Sequence, residues 1–347
     1  MEGFCRRRFS RGESPPSSPS PRRSQVLLGI RPGSGTLPVV VSVATSLDLS
    51  VNVGALKLTN PIIAASGTFG YGLEFSHLVD LNRLGGIVVK GLSLEPREGA
   101  PPPRMCETPS GMLNAVGLQN VGVRAFVAEK LPKLRAYRTA IVANIFGKTV
   151  AEYAQVAEVL EAAEDLAAYE LNISCPNVSQ GGTHFGSEPR LAAEVTTAVR
   201  RVSRRPLWVK LSPLVTDITL TARAAEEAGA DVLTVANTYP AMSVDYRTRR
   251  SRLGNLTGGL SGPAIKPMTL RLVHQVSQAV RVPVIGLGGV QSPEDVIEYL
   301  IVGASAVQVG TINFVDPRAT MNLLAGLEVL CASDKISDIN DLRGTLA

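Results

Sequence analysis

Cysteine and histidine are scarce in this sequence of 347 residues, with four of the first and three of the second. Cys5, Cys106, Cys175 and Cys331 form no Cys-x-x-Cys pair, and His77, His184 and His274 are scattered, so neither a disulfide framework nor a zinc site is expected. No apolar run approaches the length of a transmembrane helix. No Gly-x-Gly-x-x-Gly follows the first strand-like run, which leaves a Rossmann-type nicotinamide site without support. A general basic excess is missing too. Seven arginines and two glutamates lie within residues 1–46, so the whole formal charge of +5 falls there, and the rest of the chain carries 28 basic against 28 acidic residues. Nucleic-acid binding is therefore discounted, and the chain reads as cytoplasmic and reduced, with no membrane partner.

What is present is a large core. Hydrophobic residues make up 45% and charged residues 19%, the balance of a globular domain. Residues 1–46 stand apart. "MEGFCRRRFSRGESPPSSPSPRRS" is rich in Arg, Ser and Pro and offers little to a core. Its basic residues are not followed by the continuous apolar stretch of a secretory signal. A disordered extension, an over-extended start and a targeting peptide are all open readings of it, and residues 47–347 are taken as the folded domain.

From Leu47 on, short apolar runs alternate with longer segments of helical period, the pattern of βα units. The runs are "PIIAAS" (61–66), "GGIVVK" (85–90), "AIVANI" (140–145), "YELNIS" (169–174), "LWVKLS" (207–212), "DVLTVAN" (231–237), "VPVIGLGG" (282–289) and "SAVQVGT" (305–311). "SPEDVIEYLIVGA" after the seventh run begins with Ser292 as N-cap and Pro293 at the first helical position. Eight such units predict a (β/α)₈ barrel, with a doubly wound open sheet as the alternative, since sequence alone does not show closure. "LSVNVGALKLTN" (49–60) reads as a hairpin covering the bottom of the barrel.

Nearly every run ends in residues that a core would not choose, and in a barrel these ends converge on one rim, where active sites are built. They are Ser66 and Gly67, Lys90 and Gly91, Asn144, Asn172 with Cys175, Lys210 with Ser212, Asn237 and Thr238, Gly288 and Gly289, and Gly310 and Thr311. Small residues after the last two runs suit a phosphate group. A phosphate-bearing flavin mononucleotide fits, because a lysine at its pyrimidine edge would stabilise the reduced, anionic form. Lys210 is the better candidate for that task, and a Schiff-base role for it is the rival. Two long segments, 95–120 and 238–263, read as functional or disordered loops; the Gly, Asn and Ser content of the second favours a functional one, with "RTRRSR" as a solvated basic cluster.

The blocks "ASGTFGYG", "VVKGLS", "NAVGLQN", "NISCPN", "WVKLSP", "TVANT", "GGLSGPAIKP", "PVIGLGG" and "AVQVGTINF" occur in that order from residue 65. With them the chain resembles the FMN-containing dihydroorotate dehydrogenases of the cytosolic class, most closely the class 1B catalytic subunit, from about residue 48 to the C-terminus. The resemblance implies flavin contacts from Ser66, Lys90, Gly91, Asn144, Asn172, Lys210, Ala236, Gly262, Gly288, Gly289, Gly310 and Thr311. It implies substrate contacts from Lys90, Asn114, Ala115, Val116, Gly117, Leu118, Asn172, Asn177, Asn237 and Thr238.

Read from the residues alone, Cys175 could be core filler or the reacting group, since disulfide and metal roles lack partners. The resemblance implies that it is the catalytic base, removing a proton from C5 of dihydroorotate while a hydride leaves C6 for FMN. It further implies a homodimeric core joined to a subunit carrying FAD and a [2Fe–2S] cluster, a heterotetramer in which electrons pass on to NAD. The chain's lack of a cysteine cluster agrees with that division of labour. The rival readings are an FMN-dependent dihydropyrimidine dehydrogenase of uracil and thymine breakdown; a fumarate-linked class 1A dihydroorotate dehydrogenase; a lysine-dependent barrel aldolase or isomerase; and a phosphate-ligand scaffold without catalysis.

Overall fold

The computed structural model describes residues 47–174 and 183–347. The expectations for residues 1–46, and the roles expected of Cys175 and Asn177, lie outside the described residues.

The eight apolar runs form eight parallel strands: β1 (Ile62–Ala64), β2 (Gly86–Val88), β3 (Ala140–Ile145), β4 (Ala168–Asn172), β5 (Leu207–Lys210), β6 (Val232–Val235), β7 (Val284–Leu287) and β8 (Ala306–Val309). Each pairs with its sequence neighbours, and β8 returns to β1 with Val307 opposite Ile62, so the sheet is a closed barrel rather than an open one. One face of each strand looks into the barrel and the other meets helices, which is why the runs are apolar almost without alternation. All four residues of β5, Lys210 included, are buried.

The helices cover that outer face. Val150–Glu161 buries Tyr153, Val156, Ala157 and Leu160, the i, i+3, i+4, i+7 stripe of an amphipathic helix, and the Thr149 side chain accepts from Glu152 N at its start. Pro293–Ile301 opens with the expected Ser292 cap, completed by Asp295 into a reciprocal capping box.

At the N-terminal end of the barrel, Val51–Val53 and Leu56–Leu58 form the expected hairpin, with Val51, Val53 and Leu58 buried. A side chain at its turn residue Gly54 would meet Val232 Cγ2 at 3.3 Å, which places the hairpin tip against the start of β6. At the opposite end the two long segments are not simple loops. Met105–Thr108 and Gly111–Asn114 form a hairpin, and Gly111–Asn114 also pairs with Gly258–Ser261, which pairs in turn with Tyr239–Ala241. The result is a four-stranded antiparallel roof. The arginines of "RTRRSR" are solvent-exposed, as expected.

Candidate active site

A cavity of about 410 Å³ lies between the C-terminal strand ends and the roof, within the range of small-molecule and cofactor sites. Its wall takes in all twelve residues expected to contact a flavin and, of those expected to contact substrate, Lys90, Asn114, Val116, Gly117, Leu118, Asn172, Asn237 and Thr238. Ala115 is different. It is fully buried in a small cluster with Leu113 and Leu253 behind the cavity wall. The strand Gly111–Asn114 ends just before it, and the Ala115 side chain packs into the roof while Asn114, Val116, Gly117 and Leu118 on either side line the cavity. The roof supplies lining that the sequence did not suggest, including Met112 and Ser261, and the short helix Ile312–Val315 after β8 adds Phe314 and Val315.

The polar groups are oriented by one another. Asn237 Nδ2 donates to Ser174 Oγ at 2.9 Å and to Asn172 Oδ1 at 3.4 Å, and Ser174 Oγ donates to Asn172 Oδ1 at 3.3 Å. With its oxygen engaged, Asn172 keeps its amide NH₂ as a donor for a ligand. Lys210 Nζ, from β5, donates to Ser66 Oγ at 3.4 Å. Burial holds the Lys90 ammonium below the usual lysine range; nearby Glu74 opposes that shift and Arg104 adds to it.

Beneath the cavity lies a group that sequence reading passed over. Glu170, fully buried on β4, accepts from Asn144 Nδ2 at 2.8 Å, from Thr234 Oγ1 at 2.9 Å and from Gln308 Nε2. A carboxylate so deep is costly unless it is hydrogen-bonded, and these three partners from β3, β6 and β8 engage both of its oxygens. The one signal in the sequence is a charged residue at Glu170, inside an apolar run and two positions before Asn172, which puts both on the same face of the strand.

The wall also fits a flavin with a phosphate tail. Gly289, with φ +73°, follows β7; a Cβ there would stand 2.9 Å from Gly262 O and 3.0 Å from Lys266 N, so the backbone forms a narrow cradle that a side chain would fill. Gly288, Gly310 and Thr311 line the same end of the cavity, where barrels of this kind bind phosphate. Asn144 Oδ1 is buried without a hydrogen-bond partner, an acceptor left over in the wall. Among the described residues no group of three or more His, Cys, Asp or Glu side chains could hold a metal ion, and no helix is long and apolar enough to cross a membrane.

Fold and cavity together define a (β/α)₈ barrel with a polar ligand site at the C-terminal ends of its strands. A family model for dihydroorotate dehydrogenase matches residues 48–330, and the chain belongs to that family. It is 54% identical over 299 residues to a protein of Geotalea daltonii named dihydroorotate dehydrogenase B (NAD(+)), catalytic subunit, covering 86% of this chain and 98% of the relative. A protein of Thermodesulfovibrio yellowstonii with the same name is 52% identical over 297 residues, again 86% and 98% of the two chains. A third relative, from Solibacter usitatus, is 56% identical over 299 residues with the same coverage and is provisionally named dihydroorotate dehydrogenase A (fumarate).

Proposed function

We propose that the chain oxidises dihydroorotate to orotate in pyrimidine synthesis, using FMN held in the cavity. The observation that carries this reading is the convergence of Lys90, Asn114, Asn172 and Asn237 from separate segments on one cavity whose far end is lined by glycines. Dihydroorotate presents ring amides and a carboxylate. Asparagine amides can donate to and accept from the ring, and the Lys90 ammonium can take the carboxylate. Ser66, Lys90, Gly91, Asn144, Asn172, Lys210, Ala236, Gly262, Gly288, Gly289, Gly310 and Thr311 would hold the cofactor, which when bound supplies the acceptor for the hydride leaving C6.

Cys175 is the proposed general base, and its Sγ would receive the proton from C5. In the sequence it comes three residues after the end of β4 and directly follows Ser174, a member of the Asn172–Ser174–Asn237 network that would orient the substrate. A thiol of ordinary pKa, about 8.5, is mostly protonated at neutral pH, so the rate should climb with pH as it ionises. Asn177 is proposed as a further substrate contact on the strength of the same motif.

For the electrons' onward path we propose NAD as final acceptor, reached through a partner subunit carrying FAD and a [2Fe–2S] cluster on a homodimeric core. Two of the three relatives above carry the name of an NAD(+)-linked catalytic subunit. A fumarate-linked enzyme is the second reading, favoured by the name of the Solibacter relative. The test is anaerobic addition of dihydroorotate to the purified yellow protein. Bleaching by dihydroorotate but not by dihydrouracil supports the proposal, and the reverse selectivity overturns it. Fumarate turnover by the lone chain would select the second reading; NAD turnover only after addition of the partner subunit would select the first.

A further inference from the structure

Glu170 takes no part in the reaction proposed above, yet it is a buried acidic side chain in direct contact with the cavity wall. It is fully buried, and the residue hydrogen-bonded to it, Asn144, itself lines the cavity. Along β4 it precedes Asn172 by two residues, about 7 Å further down the strand. All its hydrogen bonds come from neutral donors: Asn144 on β3, Thr234 on β6 and Gln308 on β8. Each oxygen accepts from an amide NH₂, which can only donate, Oε1 from Asn144 and Oε2 from Gln308, so the Thr234 hydroxyl is the one partner that could take a carboxyl proton, an arrangement that favours the carboxylate. The neighbouring cation is on the cavity side, where Lys210 stands in register with both Asn172 and Thr234.

We infer that Glu170 is a positioning residue that sets the reduction potential of the bound flavin, its negative charge under the cavity floor opposing the charge that reduction adds above it. The inference rests on the flavin reading. Lys210 and Glu170 then form opposed controls: the lysine favours the reduced cofactor and the carboxylate restrains it. Low-dielectric surroundings make such a charge felt over this distance far more than in water. A purely architectural role would need only the hydrogen bonds, and these can be kept without the charge. Gln308 Oε1 is buried and unpartnered, so rotating its amide would offer an acceptor to a glutamine at position 170.

The test is the two-electron potential of the flavin in the full-length holoprotein, read spectroscopically against a reference dye, for wild type and Glu170→Gln. The expected result is a shift toward the reduced flavin by tenfold or more in the equilibrium constant, about 30 mV. Glu170→Asp, which keeps the charge, should stay within threefold of wild type. A Glu170→Gln protein whose potential lies within twofold of wild type overturns the inference, even if its stability has fallen. Should Glu170→Gln lose its flavin, Gln308→Met decides the matter. It strips one donor from the carboxylate, so the potential should move the opposite way, and no change or a positive shift overturns the inference. A wild-type protein without flavin would overturn the cofactor reading and this inference with it, whereas flavin bound but unreactive to dihydroorotate would overturn only the substrate reading.

Discussion

Lys210 Nζ donates to Ser66 Oγ at 3.4 Å, linking the end of β5 to the end of β1, four strands away around the ring. A lysine lying across the mouth of a barrel, 4% exposed, is held there by its surroundings rather than by solvent.

Replacing Lys210 by methionine keeps much of the apolar stem and removes the charge. Hydrogen bonds to charged groups contribute about 1.5–3 kcal/mol, so flavin affinity should fall roughly 10- to 100-fold. The loss is measured by dialysis and flavin absorbance. Ser66→Ala removes only a long hydrogen bond and should have a much smaller effect. Equal losses in the two variants would place the binding contribution of Lys210 in its contact with Ser66 rather than in its charge.

The lowered pKa of Lys90 gives a pH dependence with a definite sign. Because folding disfavours its charged form, keeping Lys90 protonated costs stability below the folded pKa, and the cost fades as pH rises from the folded to the unfolded value. Anion binding runs the other way, since the carboxylate of orotate needs the ammonium. Orotate affinity should therefore fall as pH rises through the folded pKa of Lys90, which lies below the ordinary value of about 10.4. Titrations followed by the flavin spectrum should show this limb, and Lys90→Met should abolish it. A limb that persists in Lys90→Met belongs to another group.

General-base catalysis by a positioned side chain contributes roughly 10²–10⁴ in rate. Cys175→Ala should slow flavin reduction by dihydroorotate by about that factor while retaining flavin and orotate binding. The matching controls are Cys106→Ala and Cys331→Ala. Cys106 lies in the roof hairpin opposite Leu113 and outside the cavity wall, and Cys331 is buried in the helix Ala319–Ser333. Stopped-flow rates of both controls should match wild type; equal slowing in all three would remove the base from position 175.

Deleting residues 1–46 should leave flavin content and the thermal midpoint unchanged. These residues carry the chain's whole charge excess, and the family match begins at residue 48. Loss of folding on truncation, followed by circular dichroism, would show that the domain starts earlier than residue 47.

Much of this architecture was legible because parallel barrel strands announce themselves. "AIVANI" and "LWVKLS" are apolar on both faces and end in polar residues, and they become β3 and β5 with Asn144 and Lys210 at the rim. Ser292 was equally plain, since a helix cap is local chemistry. Closure of the ring was not legible, because the pairing of Val307 with Ile62 joins residues at opposite ends of the domain. The roof stayed hidden for the same reason: Gly111–Asn114 finds its second partner in Gly258–Ser261, far along the chain. Ala115 could not be told from its neighbours in the run 114–118, because what turns its side chain from the cavity is packing with Leu113 and with Leu253, far along the chain. Glu170 was overlooked because a single acidic residue in a strand gives no hint of three donors gathered from three other strands.

The roof has a consequence for anyone who would re-engineer the pocket. Its ladder is assembled from two distant stretches, 105–114 and 239–261, each supplying strands that the other completes. Grafting the hairpin alone onto another barrel would deliver half a ladder, with the Gly111–Asn114 edge exposed and Met112 no longer held over the cavity. A transplant of substrate preference has to move both stretches as one cassette, and shuffled libraries should place their crossovers outside the pair rather than between them.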